Sequence, residues 1–249
     1  MVKVRDLSHI RIELLSCDSA GGTVRGLFYH AGLPSTCVVL CHGYSSSKHN
    51  VDPLAFHLAV DGFSAFAFDF LGHKLGASTG PLRSGADLVE NALDAVALVR
   101  GLPGVEHVVL GGHSMGAATS IGAAARSPVV IEAVIAMATS LDRGRVLTDA
   151  GMLSGLQNRA AYVDGASPDE IAVAMDAYTA RVSEIAPRPL LVIAGSKDGL
   201  VGPSAVRRLF DAAHEPKTFE LVDANHTDCA ERSRFVVSRW LKARGFAAG

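Results

Sequence analysis

Cysteine is scarce. Cys17, Cys37, Cys41 and Cys229 are the only four in 249 residues, with no Cys-x-x-Cys pair and no His/Cys grouping at zinc spacing, so neither a disulfide framework nor a structural zinc site is expected. They read as reduced, buried small hydrophobes, and only at Cys41, beside His42, is a reactive thiol the alternative. An excess of one charge is also missing. The 23 Lys and Arg against 25 Asp and Glu leave a formal charge of −2, which offers nothing to hold a nucleic acid. Long hydrophobic runs are absent too. The most apolar segment, 129–138, is interrupted by Glu132 and falls well short of the roughly 20 residues that span a bilayer, so no membrane insertion is expected. The opening stretch MVKVRDLSHIRIELLSCDSA alternates charged with apolar residues instead of showing the basic flank, apolar stretch and cleavage site of an export signal. A cytoplasmic location is expected.

What is present is 49% hydrophobic and 19% charged residues, the composition of an ordinary globular protein. The length suits one α/β domain across residues 1–249. β-rich runs at 10–16, 24–30, 36–41, 64–70, 107–111, 129–138, 189–194 and 217–222 predict eight strands. Helical patterns lie between or after them at 52–60, 86–100, 115–125, 204–213 and 230–243. The runs CVVL, FAF, VVL, VIAM and LLVIA are continuous rather than alternating, as central parallel strands covered on both faces should be. The first two strands have no helix between them and predict an antiparallel hairpin through Ala20-Gly21-Gly22. From 141 to 185 no strand is visible, while 143–161 and 168–182 read as helices; this reads as a helical insertion between two strands of the sheet. The fold class is therefore α/β, an eight-stranded and mostly parallel sheet flanked by helices.

The pattern Gly-x-Ser-x-Gly occurs twice, at Gly112-His113-Ser114-Met115-Gly116 and at Gly76-Ala77-Ser78-Thr79-Gly80, and three fixed residues carry little weight by themselves. A nucleophilic serine on this motif needs a strand before it and a helix after it, with glycines that let the turn pack closely. Ser114 follows a strand and precedes a run of small helix formers. Ser78 has neither, and Pro81 follows its second glycine, so the Ser78 match is read as accidental. A serine must lose its proton as it attacks, which requires a histidine base and a carboxylate to orient it. The strand at 189–194 runs into Gly195-Ser-Lys-Asp198, and the strand at 217–222 runs into Asp223-Ala-Asn-His226, so residues of the right type stand at the carboxyl ends of later strands, where α/β sheets build their sites. Asp223 and Asp228 are the alternatives to Asp198. The strand CVVLC ends in His42-Gly43-Tyr44, a turn suited to present the Tyr44 amide beside that of Met115 as two donors to an oxyanion.

His42-Gly43, the Asp69-Phe-Leu-Gly-His73 turn, Gly112-His-Ser-Met-Gly116, Gly195-Ser-Lys-Asp198-Gly-Leu-Val201 and Asn225-His226, in that order, resemble the α/β-hydrolase superfamily. The likeness is to its small serine carboxylesterases, those similar to monoacylglycerol lipases or to cinnamoyl and feruloyl esterases. The resemblance implies Ser114 as nucleophile, Asp198 as acid, His226 as base, Tyr44 and Met115 as oxyanion amides, and 141–185 as the cap over the substrate pocket. One stretch departs from the family pattern: Leu71 and Lys74 stand where Arg and Gly are usual.

The expected activity is hydrolysis of small to medium acyl or aryl carboxylic esters through an acyl-enzyme, with a small-molecule ester as partner and no metal or organic cofactor. Thioester, amide or C–C cleavage on the same residues is the alternative within enzymes, and a non-catalytic ligand-binding protein on this scaffold is the alternative outside them. A homodimer is left open. His42, Gly43, His113, Met152, Leu156 and Tyr178 are candidates to face substrate. Against this, His42 suits support of its loop, the His113 side chain should point away from Ser114, and Met152, Leu156 and Tyr178 could pack the cap itself. His73 and Lys74 read as loop braces or as substrate contacts, and Lys48 as ordering the oxyanion loop or as solvated.

Overall fold

Ala20 and Gly21 reverse the chain between the first two strands, both at positive φ (49° and 77°), the backbone of a two-residue hairpin turn. On either side of them β1 (Arg11–Ser19) and β2 (Gly22–His30) pair antiparallel, with Ser19 opposite Gly22. The computed structural model describes residues 7–8, 10–32, 36–127, 131–142 and 158–246. Within them the chain continues through β3 (Thr36–Cys41), α1 (Asp52–Val60), β4 (Ser64–Asp69), α2 (Gly85–Arg100), β5 (His107–His113), α3 (Met115–Arg126) and β6 (Ala133–Met137). It ends with α4 (Pro168–Thr179), β7 (Leu190–Gly195), α5 (Pro203–Ala212), β8 (Lys217–Val222), α6 (Cys229–Arg232) and α7 (Arg234–Ala243). The eight strands form one sheet in the order β1-β2-β4-β3-β5-β6-β7-β8. β2 also pairs antiparallel with β4, and every later pairing is parallel.

Burial follows from this order. Every residue of β3, β4, β6 and β7 is buried, because helices cover both faces of a parallel sheet. Alternate residues feed two cores: Cys37, Val39 and Cys41 face the helices α2 to α5, while Val38 and Leu40 face α1 and α7. α2 contributes Leu88, Ala92, Ala95 and Val99, buried at helical spacing. Among the described residues no helix is long and apolar enough to cross a membrane.

Several boundaries differ from the sequence expectation. β6 begins at Ala133; Glu132 stays outside it and spends its carboxylate on the Val108 amide at 2.7 Å and on Arg100 at 3.1 Å. The expected helix at 230–243 is two helices, α6 and α7, with Ser233 between them and its hydroxyl bonded to the Cys229 carbonyl at 2.6 Å. Most of the first expected cap helix, with Met152 and Leu156, lies outside the described residues. The second is α4, opened by Ser167 and Glu170 bonding each other's backbone amides around Pro168, a reciprocal cap that satisfies two orphan donors.

Residues 162–166 are stitched to the loop after β4 by main chain. Lys74 N donates to Tyr162 O, Asp164 N to Gly72 O, Leu82 N to Asp164 O and Ala166 N to Leu82 O, all between 2.6 and 2.9 Å. Gly72 and Gly165 sit at positive φ in this seam, and a Cβ at either would strike the carbonyl of Asp164 or Leu82. Tyr178 pins α4 to its neighbours: its ring lies on Gly122 of α3, and its hydroxyl donates to Gly85 O of α2 at 2.7 Å. Replacing Tyr178 by Phe removes only that hydrogen bond, and urea unfolding should show a loss of about 1 kcal/mol.

Candidate active site

The turn between β5 and α3 is set by backbone sterics. Ser114 takes φ 56° and ψ −114°, outside the regions open to most L-residues, and its amide donates to Met137 O of β6 at 2.9 Å. Two glycines make this reversal fit. A Cβ at Gly112 would collide with the Gly116 backbone, and a Cβ at Gly116 would collide with the Cys41 carbonyl at the end of β3. α3 therefore starts directly against β3 and the turn that follows it. Gly43 of that turn lies so near that a Cβ there would stand 3.5 Å from Ser114 Cβ. Among the described residues, the Tyr44 and Met115 amides donate no hydrogen bond.

Ser114 Oγ lies 3.2 Å from His226 Nε2, and His226 Nδ1 lies 2.8 Å from Asp198 Oδ2. The other oxygen, Asp198 Oδ1, accepts from the amides of Leu200 at 2.9 Å and Val201 at 2.7 Å. Burial by itself would raise the Asp198 carboxyl, but the bonds from His226 and the Val201 and Leu200 amides outweigh it and hold the group below the usual carboxylate range. An ionised carboxylate can only accept. His226 therefore carries its proton on Nδ1 and turns the Nε2 lone pair toward the serine hydroxyl. The other two acids are engaged elsewhere: Asp223 pairs with Lys197 at 2.7 Å, and Asp228 accepts from Asn225 N and Arg232.

Beneath the His42-Gly43-Tyr44 turn lies a second polar cluster. His42 is fully buried; its Nδ1–H donates to Gly43 O at 2.8 Å and its Nε2 accepts from Phe70 N at 3.1 Å. With both nitrogens used, it cannot face substrate, which corrects the expectation that it might and gives it the supporting role instead. Burial pushes its imidazole down to about 4, and His73, whose ring centroid is 4.8 Å away, down to about 3 by burial and the neighbouring ring. Both are neutral near pH 7. Lys48 and Asp69 form a buried pair at 2.8 Å, and Asp69 also accepts from the Lys48 and Ala77 amides at 2.7 Å each. Burial alone would raise Asp69; Lys48 and these amides overcome it and keep the group below its ordinary value. Ser78, the serine of the second motif, donates to Asp69 O at 2.5 Å and accepts from Arg25 N at 2.8 Å, so it braces this cluster. Cys41 is enclosed with its thiol pushed up to about 12 by burial, which removes the reactive-thiol alternative.

Ser114, His226, Asp198, Gly43, Tyr44 and Met115 are thus brought to one place. Tyr178 is not among them. It packs on Gly122, two turns along α3 from Ser114 and roughly 12 Å away at 1.5 Å per residue, so the structure gives it a packing role in place of the substrate contact expected. His113 is buried and reaches the His226 carbonyl, with its Nε2 at 2.7 Å. Two links to the segment that carries His226 were missed by the sequence reading, this one and the Asn50 amide that donates to Thr227 O at 3.0 Å; neither residue carries a spacing that announces it. Among the described residues no group of three or more His, Cys, Asp or Glu stands together to hold a metal ion.

Comparison with known proteins places the family and the fold. Residues 32–164 match the family described as serine aminopeptidase, S33. A polyketide transferase of Stachybotrys chlorohalonatus is 28% identical over a 262-position alignment covering 84% of this chain and 87% of that protein. A Pyrococcus furiosus esterase superposes with a TM-score of 0.71 at 20% identity, over 94% of this chain and 93% of its own. Est1E of Butyrivibrio proteoclasticus, solved with ferulic acid bound, gives 0.72 at 17% identity over 93% and 97%.

Two outcomes follow from the buried cluster. Replacing Lys48 by Met strands a buried carboxylate and should cost about 3–5 kcal/mol in urea unfolding. His42 and His73 bind protons more readily in the unfolded chain, near pH 6.5, than in the folded one. Stability should therefore fall as pH drops from 6.5 toward 4, by a few kcal/mol at about 1.4 kcal/mol per pH unit for each histidine, and His73→Leu should make the fall shallower.

Proposed function

The chain belongs to the serine aminopeptidase S33 family and is an α/β-hydrolase, and from that premise we propose that it hydrolyses carboxylic esters through an acyl-enzyme on Ser114. The observation that carries this reading is the hydrogen-bonded chain from Ser114 through His226 to Asp198, at 3.2 and 2.8 Å, beside two undonated amides. As Ser114 Oγ attacks the ester carbonyl, its proton passes to His226 Nε2, and the imidazolium that forms is stabilised by Asp198. The carbonyl oxygen, now negative, takes hydrogen bonds from the Tyr44 and Met115 amides, each worth roughly 3 kcal/mol to a developing oxyanion. Collapse of the tetrahedral intermediate expels the alcohol, which leaves with the proton from His226. Water then enters, gives its proton to His226, attacks the acyl carbon and releases the acid and Ser114. None of these steps draws on a cofactor.

The substrate range follows from what the site does not demand. The machinery reads only the carbonyl, so thioesters and amides are chemically open to it as well, and acyl-group choice falls to residues outside it. Small to medium acyl and aryl esters are the proposed class. A fluorophosphonate probe should label Ser114, located by peptide mass, and p-nitrophenyl esters of increasing chain length together with methyl ferulate should be turned over faster than a matched thioester or aminoacyl amide. Ser114→Ala should lose labelling and roughly 10⁴-fold or more of kcat. Retention of turnover by that variant would overturn the assignment, and a faster amide would move the reading to a peptidase.

A further inference from the structure

We infer that His113 is a positioning residue for the base of the proposed reaction, holding the His226 main chain against the nucleophile turn; this rests on the reading of Ser114 and His226 given above. A carbonyl oxygen can only accept, so the 2.7 Å contact between His113 Nε2 and His226 O requires the His113 Nε2–H to donate. The two rings stand 4.8 Å apart at 54°. His113 is the last residue of β5 and Ser114 the next in the chain. Two hydrogen bonds therefore join this dipeptide to His226, one to its ring and one to its main chain. The serine hydroxyl alone would tether only the tip of a side chain that can swing about χ1 and χ2. Fixing the carbonyl as well fixes the Cα from which the imidazole reaches.

The neighbouring contacts show why this tie falls to His113. The stretch after β8 is held at Ala224, whose carbonyl accepts from Lys197 N at 2.9 Å, and at Thr227, whose carbonyl accepts from Asn50 Nδ2 at 3.0 Å. Between them the His226 carbonyl is held by the imidazole of His113. On the opposite side of that imidazole lies Gly43, where a Cβ would stand 3.3 Å from His113 Nδ1. His113 thus sits between the oxyanion turn and the base, touching the segment that carries each. A displacement of the base by about 1 Å is enough to cost on the order of 100-fold in rate.

The test compares His113→Gln, whose side-chain amide keeps a donor at similar reach, with His113→Leu and His113→Met, which fill the space without one. In His113→Leu, p-nitrophenyl acetate kcat should fall about 10- to 100-fold with KM within about threefold, and fluorophosphonate labelling of Ser114 should slow in parallel. His113→Gln should recover most of the rate. The far-downfield proton resonance of His226 Nδ1–H, bonded to Asp198, should persist in the wild type and in His113→Gln and broaden or shift in His113→Leu. A purely packing role would leave that resonance in place and would not distinguish Gln from Leu, and either result overturns the inference. It is also overturned if both apolar variants fail to fold while His113→Gln folds, since the bond would then be a folding determinant. Failure of the ester reading looks different: the wild type would neither be labelled nor turn over any ester, while the resonance would still respond to substitution at 113.

Discussion

Helix α3 can begin where it does only because positions 112 and 116 carry no side chain. The Gly116 backbone lies against the Cys41 carbonyl, and the Gly112 backbone lies against Gly116 itself. Close approach is the constraint from which the rest of the site follows. It brings the first amides of α3 against the turn after β3, where the partial positive charge of a helix N-terminus meets a second group of main-chain donors. It also drives Ser114 into its positive-φ conformation, a strained geometry of the kind that persists only where its surroundings over-determine it. Here they do so through the bond from Ser114 N to Met137 O and through the packing of both glycines.

Beneath the turn, charge is handled in two ways side by side. His42 and His73 are kept neutral by burial, while Asp69 is kept ionised by Lys48 and two amides. Together they fix the floor under Gly43 and Tyr44 without placing a net charge near Ser114. A free positive or negative group there would alter the cost of forming an oxyanion in the proposed reaction, and pairing and neutralisation keep the cluster from contributing one.

Much of this was legible in the sequence. Continuous β-branched runs marked the central strands, and small residues after Ser114 marked a helix able to lie close to them. Asp198 and His226 stood at strand ends, where geometry sends side chains to a common crevice. What the sequence did not disclose were contacts between residues far apart in the chain that obey no period. His113 to His226, Asn50 to Thr227 and Lys48 to Asp69 each join segments whose neighbourhood depends on sheet order. Tyr178 misled for a related reason: an aromatic on an insertion over the site looks like a pocket wall, but an unfilled groove at Gly122 and an acceptor at Gly85 claimed it first. Periodicity alone likewise joined the two helices that meet at Ser233.

The seam between residues 161–166 and the loop after β4 is made mostly of main-chain hydrogen bonds, with Lys74 Nζ adding one to Ala161 O and no room for a Cβ at Gly72 or Gly165. Attachment thereby makes little demand on side-chain identity, because most of these contacts are between main-chain groups. Such a joint lets the side chains around it drift by substitution while the docking of the segment stays constant, and it leaves Gly72 and Gly165 as the positions that cannot drift with them.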